Sequence, residues 1–133
     1  MRILLDTHTL IWFDAGDSKL STNARILIED EDNHKLVSIA SIWEMAIKES
    51  KGKESKGLLN LSVPFEDYIR QKISLEDFNL LDINLYHLNA IVTIPFHHKD
   101  PFDRLLIAQS MVEGIPILSK DSAFDAYSIN RIW

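Results

Sequence analysis

Four carboxylates carry the first functional signal in this chain: Asp6, Glu44, Asp103 and Asp121. Each stands where an apolar, strand-like run passes into a turn or helix, or on the helix just after it. Asp6 follows Ile3-Leu4-Leu5, and Glu44 interrupts the apolar stretch from Ile39 to Ile47. Asp103 opens the segment Asp-Arg-Leu-Leu-Ile-Ala-Gln, and Asp121 ends the run from Ile115 to Lys120. In an open α/β sheet ligands bind outside the carboxyl ends of the strands, so these four side chains are candidates to meet in one crevice. Clustered carboxylates without thiols suit a hard divalent cation. The chemistry of such a site is activation of water and orientation of a phosphate, as in hydrolysis of a phosphodiester.

Each acid also has a structural explanation. Asp6 can cap a helix beginning near Thr9, Asp103 can be a first-turn carboxylate facing the helix dipole, and Asp121 can form a turn before Ser122-Ala123-Phe124. Glu44 is harder to explain that way. It lies mid-helix among Ile42, Trp43, Met45, Ala46 and Ile47, a segment apolar nearly all round, where a buried charge needs a partner or a metal. Lys48, four residues on, is the alternative partner. Taken together, four carboxylates about 5 Å apart repel by roughly 3 kcal/mol per pair at an effective dielectric near 20. A cation or a proton must occupy such a cluster. The histidines give a weaker signal: His8, His87, His97 and His98 lack the H-x-x-x-H spacing of a helical zinc site, so His97 and His98 are read as loop residues and His34 as a surface turn. Trp12, Phe13, Trp43 and Phe102 are read as core, and no phosphate-cradling glycine loop is present.

The elements that must position these acids follow from periodicity. Short, continuous apolar runs at Ile3–Leu5, Lys35–Ser38, Leu80–Ile83, Ile115–Ser119 and Ser128–Ile132 read as buried parallel strands. Amphipathic stretches at Thr9–Ala15, Thr22–Asp30, Ile39–Lys51, Phe65–Ile73, Leu85–Val92 and Pro101–Glu113 supply helical crossovers. Asp100-Pro101-Phe102-Asp103 has the form of a helix start, with Asp at the cap and Pro at the first position. Gly114 followed by Pro116 stops that helix. The one loop-like insert is Gly52–Val63. It overlaps the locally positive stretch Lys48–Lys56, which is read as a mobile loop or solvated helix end rather than an RNA contact.

Composition bounds the class. With 133 residues and 46% hydrophobic content the chain, residues 1–133, forms one domain with its own core. No stretch approaches the ~20 apolar residues of a membrane span, so no membrane role is expected. The segment Met1–Leu5 is already a strand with an acid next to it, which does not fit a secretory signal. The absence of cysteine excludes thiolate zinc sites and cysteine nucleophiles, and fits a cytoplasmic location. A net charge of −6 argues against a non-specific nucleic-acid coat but not against a nuclease, because bound cations invert the charge of the site.

Four blocks, LLDTHTLIW (Leu4–Trp12), SIASIWEMAIK (Ser38–Lys48), HHKDPFDRLLIAQ (His97–Gln109) and ILSKD (Ile117–Asp121), resemble the PIN domain family. The resemblance is closest to the VapC-type toxins of type II toxin–antitoxin modules, and the blocks keep the family's order over nearly the whole chain. It implies a three-layer α/β/α fold with a central, mostly parallel sheet of about five strands. It also implies a Mg²⁺ or Mn²⁺ site, endoribonuclease activity on an RNA substrate, restraint by a small cognate antitoxin, and a homodimer. By position, the metal-binding and catalytic acids fall on Asp6, Glu44, Asp103 and Asp121. Thr7 and Ser119 are hydroxyl neighbours, Asp100 is a structural or supporting acid, and Arg104 is a candidate to contact substrate phosphate or pair with a site carboxylate. Ser119 replaces the threonine often found two residues before the last acid and keeps its hydroxyl. A phosphorylated receiver and an aspartyl phosphatase are disfavoured, because each needs acids that this chain lacks around Asp6. A PIN-like scaffold used only for protein binding is the remaining alternative.

Overall fold

Strands and helices alternate along the chain in a computed structural model that describes residues 1–51 and 61–133. The order is β1 (Arg2–Leu5), α1 (Thr7–Ala15), α2 (Thr22–Glu29), β2 (His34–Ser38), α3 (Ile39–Ser50), α4 (Phe65–Leu75), β3 (Phe78–Leu81), α5 (Leu85–Thr93), α6 (Pro101–Glu113), β4 (Ile117–Leu118) and β5 (Arg131–Ile132). A 3-10 turn at Ser122–Ala126 connects β4 to β5. The five strands form one sheet in the order β3-β2-β1-β4-β5, and all four pairings are parallel. β1 is therefore central. The chain leaves it first toward β2 and β3, then returns to its other side with β4, so the direction of winding reverses between β1 and β4.

Alternation along the strands divides the core into two layers. Ile3 and Leu5 of β1 point into one cluster with Leu10 and Ile11 of α1, Ala24 and Ile28 of α2, and Tyr68 of α4. Leu4 points into the other, with Leu105, Leu106 and Ile107 of α6 and Ile94 just beyond α5. Helices thus cover both faces, as parallel strands require. α3 serves both layers, placing Met45 in the first and Ala40 in the second. α6 is buried without interruption from Arg104 to Ser110. That burial fixes how its first turn, with Asp103, is presented at the top of the sheet.

Side-chain caps set the helix starts. Asp6 accepts the Thr9 N–H at 2.8 Å, so α1 begins at Thr7, two residues earlier than the sequence reading. Ser21, Ser38, Asn84 and Asp100 cap α2, α3, α5 and α6 in the same way. Gly16 and Gly114 end α1 and α6 at φ 63, a left-handed conformation that glycine adopts without strain. β3 is displaced from the expected Leu80–Ile83, because buried Phe78 rather than Ile83 anchors it and Asp77 at φ 56 makes the preceding turn. β4 is short: Pro116 has no N–H to donate, although its carbonyl accepts the Leu4 N–H at 2.9 Å. β5 likewise shrinks to two residues. Lys48 to Ser50 continue α3, in keeping with the helix expected over Ile39–Lys51, and His34 opens β2 rather than a turn. The insert read at Gly52–Val63 lies, up to Asn60, outside the described residues.

Candidate functional site

Asp6 follows β1 and Asp121 follows β4, the two strands flanking the reversal of winding. α3 begins directly at the end of β2 and carries Glu44, and α6 brings Asp103 in its first turn. All four acids line one partly open cavity of about 110 Å³, together with Thr7, His8, Asp100 and Phe124. One water needs only ~10–15 Å³ of such space, so the cavity has room for a cation and its remaining waters.

The supporting contacts are specific. Asp6 is 8% exposed, and its carboxylate both caps α1 and accepts the Ser119 hydroxyl. Fully buried Ser119 in turn accepts the Asp121 N–H at 3.1 Å, so one hydroxyl ties the first and last acids together. The Thr7 hydroxyl donates to the Ser41 hydroxyl at 2.9 Å, joining the start of α1 to α3 one turn before Glu44. Glu44 has a side chain 15% exposed and lies 3.5 Å from Lys48, so the partner expected at i+4 is present. Asp100 caps α6 through the N–H groups of Phe102 and Asp103 and is itself exposed.

Electrostatics mark the cluster as short of positive charge. Burial pushes the Asp103 carboxyl up to about 7 from 3.8, and Asp100, Glu44, Asp6 and Asp121 push in the same direction. Asp6 is also raised, by burial above all, against the opposing hydrogen bonds from Ser119 and Thr9 and the attraction of His8. A site that draws a proton at neutral pH accepts a cation for the same reason. Its oxygen donors match a hard divalent ion, so the residues present fit the metal that the sequence implies.

A family model for the PIN domain matches residues 3–130. The chain belongs to the PIN domain family. Solved structures agree at the level of fold. A VapBC2 complex from Rickettsia felis bound to a promoter DNA fragment contains a similar chain, with TM-score 0.71, 12% identity, and coverage of 99% of this chain and 98% of that one. A toxin–antitoxin complex from Klebsiella pneumoniae gives 0.65, 16%, 98% and 96%. FitAcB from Neisseria gonorrhoeae gives 0.64, 14%, 98% and 96%. No curated protein matches by sequence. The three-layer α/β/α PIN architecture expected from the sequence is the one observed.

Several residues of this PIN domain differ from their sequence readings. Arg104 does not reach the acids. It is 6% exposed, donates to the carbonyls of Pro95 and Ile91 at 2.9 and 3.0 Å, and stacks 4.2 Å from the Phe96 ring centroid. Its position immediately after Asp103 turns it about 100° around the helix, into the contact with α5. His98, read as a loop residue, points at the site: its side chain is 10% exposed and Nε2 lies 3.7 Å from Asp121 Oδ2. Linear spacing concealed this because its neighbours come from α6 and from the segment after β4. His87 instead closes a capping box on α5, its Nδ1 accepting the Asn84 N–H. Trp43 is 55% exposed rather than core, edge-on to Phe102. Trp12 sits only partly buried beside the acids, with Lys120 5.8 Å and Lys19 5.9 Å from its ring.

Proposed function

We propose that this PIN domain is a metal-dependent endoribonuclease acting as the toxin of a type II toxin–antitoxin module. The observation that carries the reading is the convergence of Asp6, Glu44, Asp103 and Asp121 on one cavity at the carboxyl ends of the strands, with Asp103 pushed to about 7 by its surroundings. The four acids hold Mg²⁺ or Mn²⁺, which when bound supplies an activated water and neutralises charge on the leaving oxygen. Ser119 keeps Asp6 and Asp121 in register, and Thr7 with Ser41 steadies α3 beneath Glu44. A groove lined by Asp6, His8, Trp12, Lys120 and Asp121 adjoins the cavity and gives the RNA strand its approach. Lys120 offers charge to a phosphate and Trp12 a face to a base, the combination used on single strands.

Structures with this fold have been solved within toxin–antitoxin complexes, which supports a small protein as the natural inhibitor. An acidic pocket invites a basic side chain from such a partner, which then displaces the metal. Competition between partner and Mn²⁺ tests this; simultaneous, independent binding of both refutes it. The exposed apolar residues Leu85, Tyr86, Leu88 and Val92 on α5 are the surface assigned to a second copy of the chain. A Val92→Asp variant with unaltered mass in solution counts against that assignment. Cellular RNA as substrate places the activity in the cytoplasm. No described helix is long and apolar enough to cross a membrane.

The decisive experiment is RNA cleavage by the purified protein with EDTA, with EDTA followed by excess Mg²⁺ or Mn²⁺, and with Asp6→Asn. Cleavage that EDTA abolishes, the metal restores and the variant lacks is the expected result. Full cleavage in chelator overturns the mechanism. A metal-loaded protein inert on diverse RNAs favours a protein-binding scaffold instead.

A further inference from the structure

His98 has no place in a site made of four acids, yet it is held there with care. The chain before it is pinned by Tyr127, whose phenol oxygen accepts the N–H groups of His97 at 3.0 Å and His98 at 2.7 Å. The imidazole is then packed between Phe124 and Tyr127, with ring centroids 5.2 and 5.5 Å away. Nine-tenths of the side chain is buried, and Nδ1 has no hydrogen-bond partner among the described residues. Nε2, at 3.7 Å from Asp121, is beyond the 2.7–3.2 Å of a hydrogen bond. A ring kept only for an ion pair with Asp121 would close that gap.

A cation accounts for it better. One ligand atom each from His98, Asp103 and Asp121 lie within 4.8 Å of one another. Ligands bound to one ion at ~2.1 Å stand roughly 3 Å apart when adjacent and roughly 4.2 Å apart when opposite. The three groups are thus a small side-chain adjustment from sharing an ion. We propose that His98 is a nitrogen ligand of the metal site, making it a mixed nitrogen–oxygen centre that prefers Mn²⁺ and later first-row divalent ions to Mg²⁺. Magnesium gains little from imidazole, whereas affinity for nitrogen donors rises along the first transition row. The inference rests on the metal-dependent reading of the four acids and adds a fifth ligand of different chemistry.

The test uses the full-length protein loaded with Mn²⁺ and examined by electron spin-echo envelope modulation, which detects a directly coordinated imidazole nitrogen. Wild type is expected to show the nitrogen modulation, His98→Ala to lose it, and His97→Ala and His8→Ala to keep it. In metal titrations, His98→Ala should bind Mn²⁺ about ten-fold or more weakly, with Mg²⁺ affinity close to wild type. Mn²⁺ bound to wild type without nitrogen modulation overturns this proposal and leaves the four-acid site standing. Modulation that follows His8 or His97 instead overturns it as well. Failure of wild type to bind Mn²⁺ at all defeats the metal-dependent reading with it. If His98→Ala does not fold, the wild-type spectrum and the two control variants still decide.

Discussion

Removing the charge of Asp103 should stabilise the metal-free protein and weaken the metal-loaded one. The carboxyl is pushed from 3.8 up to about 7, first by burial and then by Asp100, Glu44, Asp6 and Asp121. For an acid raised in this way the folded state holds a proton that the unfolded chain has already released. Stability therefore falls as pH rises from about 4 to about 7 and stays low above it. At about 1.36 kcal/mol per pH unit the full penalty is slightly over ~4 kcal/mol, and partial solvation of the carboxylate reduces it to about 2 kcal/mol. Asp103→Asn keeps the shape and the N–H that Asp100 accepts, while removing that penalty. In EDTA at pH 8 the variant should melt about 6–10 °C above wild type, and at pH 4 the two should coincide. In Mg²⁺ the order reverses, because wild type gains about 2.7 kcal/mol from an ion at 100 times its Kd and the variant loses most of that. Calorimetry across pH, with and without metal, reads all three. A variant equally or less stable than wild type at pH 8 in EDTA, and retaining the full Mg²⁺ shift, would show that Asp103 serves α6 and not a cation.

Asp6 performs two tasks that substitutions can separate. Asp6→Asn keeps the cap on α1 and should fold normally without cleaving RNA, whereas Asp6→Ala should lose cleavage and also about 1 kcal/mol of stability; equal melting of both variants refutes the cap. Arg104→Ala should cost about 2–3 kcal/mol, since two carbonyls lose a charged donor, while cleavage per folded molecule stays at the wild-type level. Lost cleavage with unchanged melting would return Arg104 to the substrate. Lys120→Ala should leave metal affinity intact and raise KM, with the slope of log affinity against log salt falling by roughly 0.7 for one lost single-strand phosphate contact; an unchanged slope removes Lys120 from the groove.

Periodicity and caps made most of the fold legible. α6 could be read to the residue because Asp100-Pro101 and Gly114 punctuate both of its ends. β3 was misplaced because an edge strand with Asn79 and Leu80 exposed lacks the continuous apolar run of a buried one. Asp6, Asp103 and Asp121 stood out because each lies at or just after an element boundary, which sequence marks well, and Glu44 because it is a charge inside an apolar helix; the structure gathers all four around one cavity. The position of His98 was not legible, because it arises from proximity to residues 103 and 121 across the fold and from a phenol at residue 127. Arg104 shows the converse: adjacency to a site acid in sequence becomes separation onto different faces of a helix.

The order of the sheet also governs when the site can exist. β1 is made first yet lies at the centre, and β4, which follows α6 late in the chain, completes its second edge. Asp6 therefore waits for Asp121 during synthesis, an interval on the order of 10 s at roughly 5–20 residues per second. Until the last strands dock, the winding reversal between β1 and β4 has only one wall, and the nascent chain has no complete acidic crevice. An unfinished copy on the ribosome therefore carries Asp6 without Asp121 beside it.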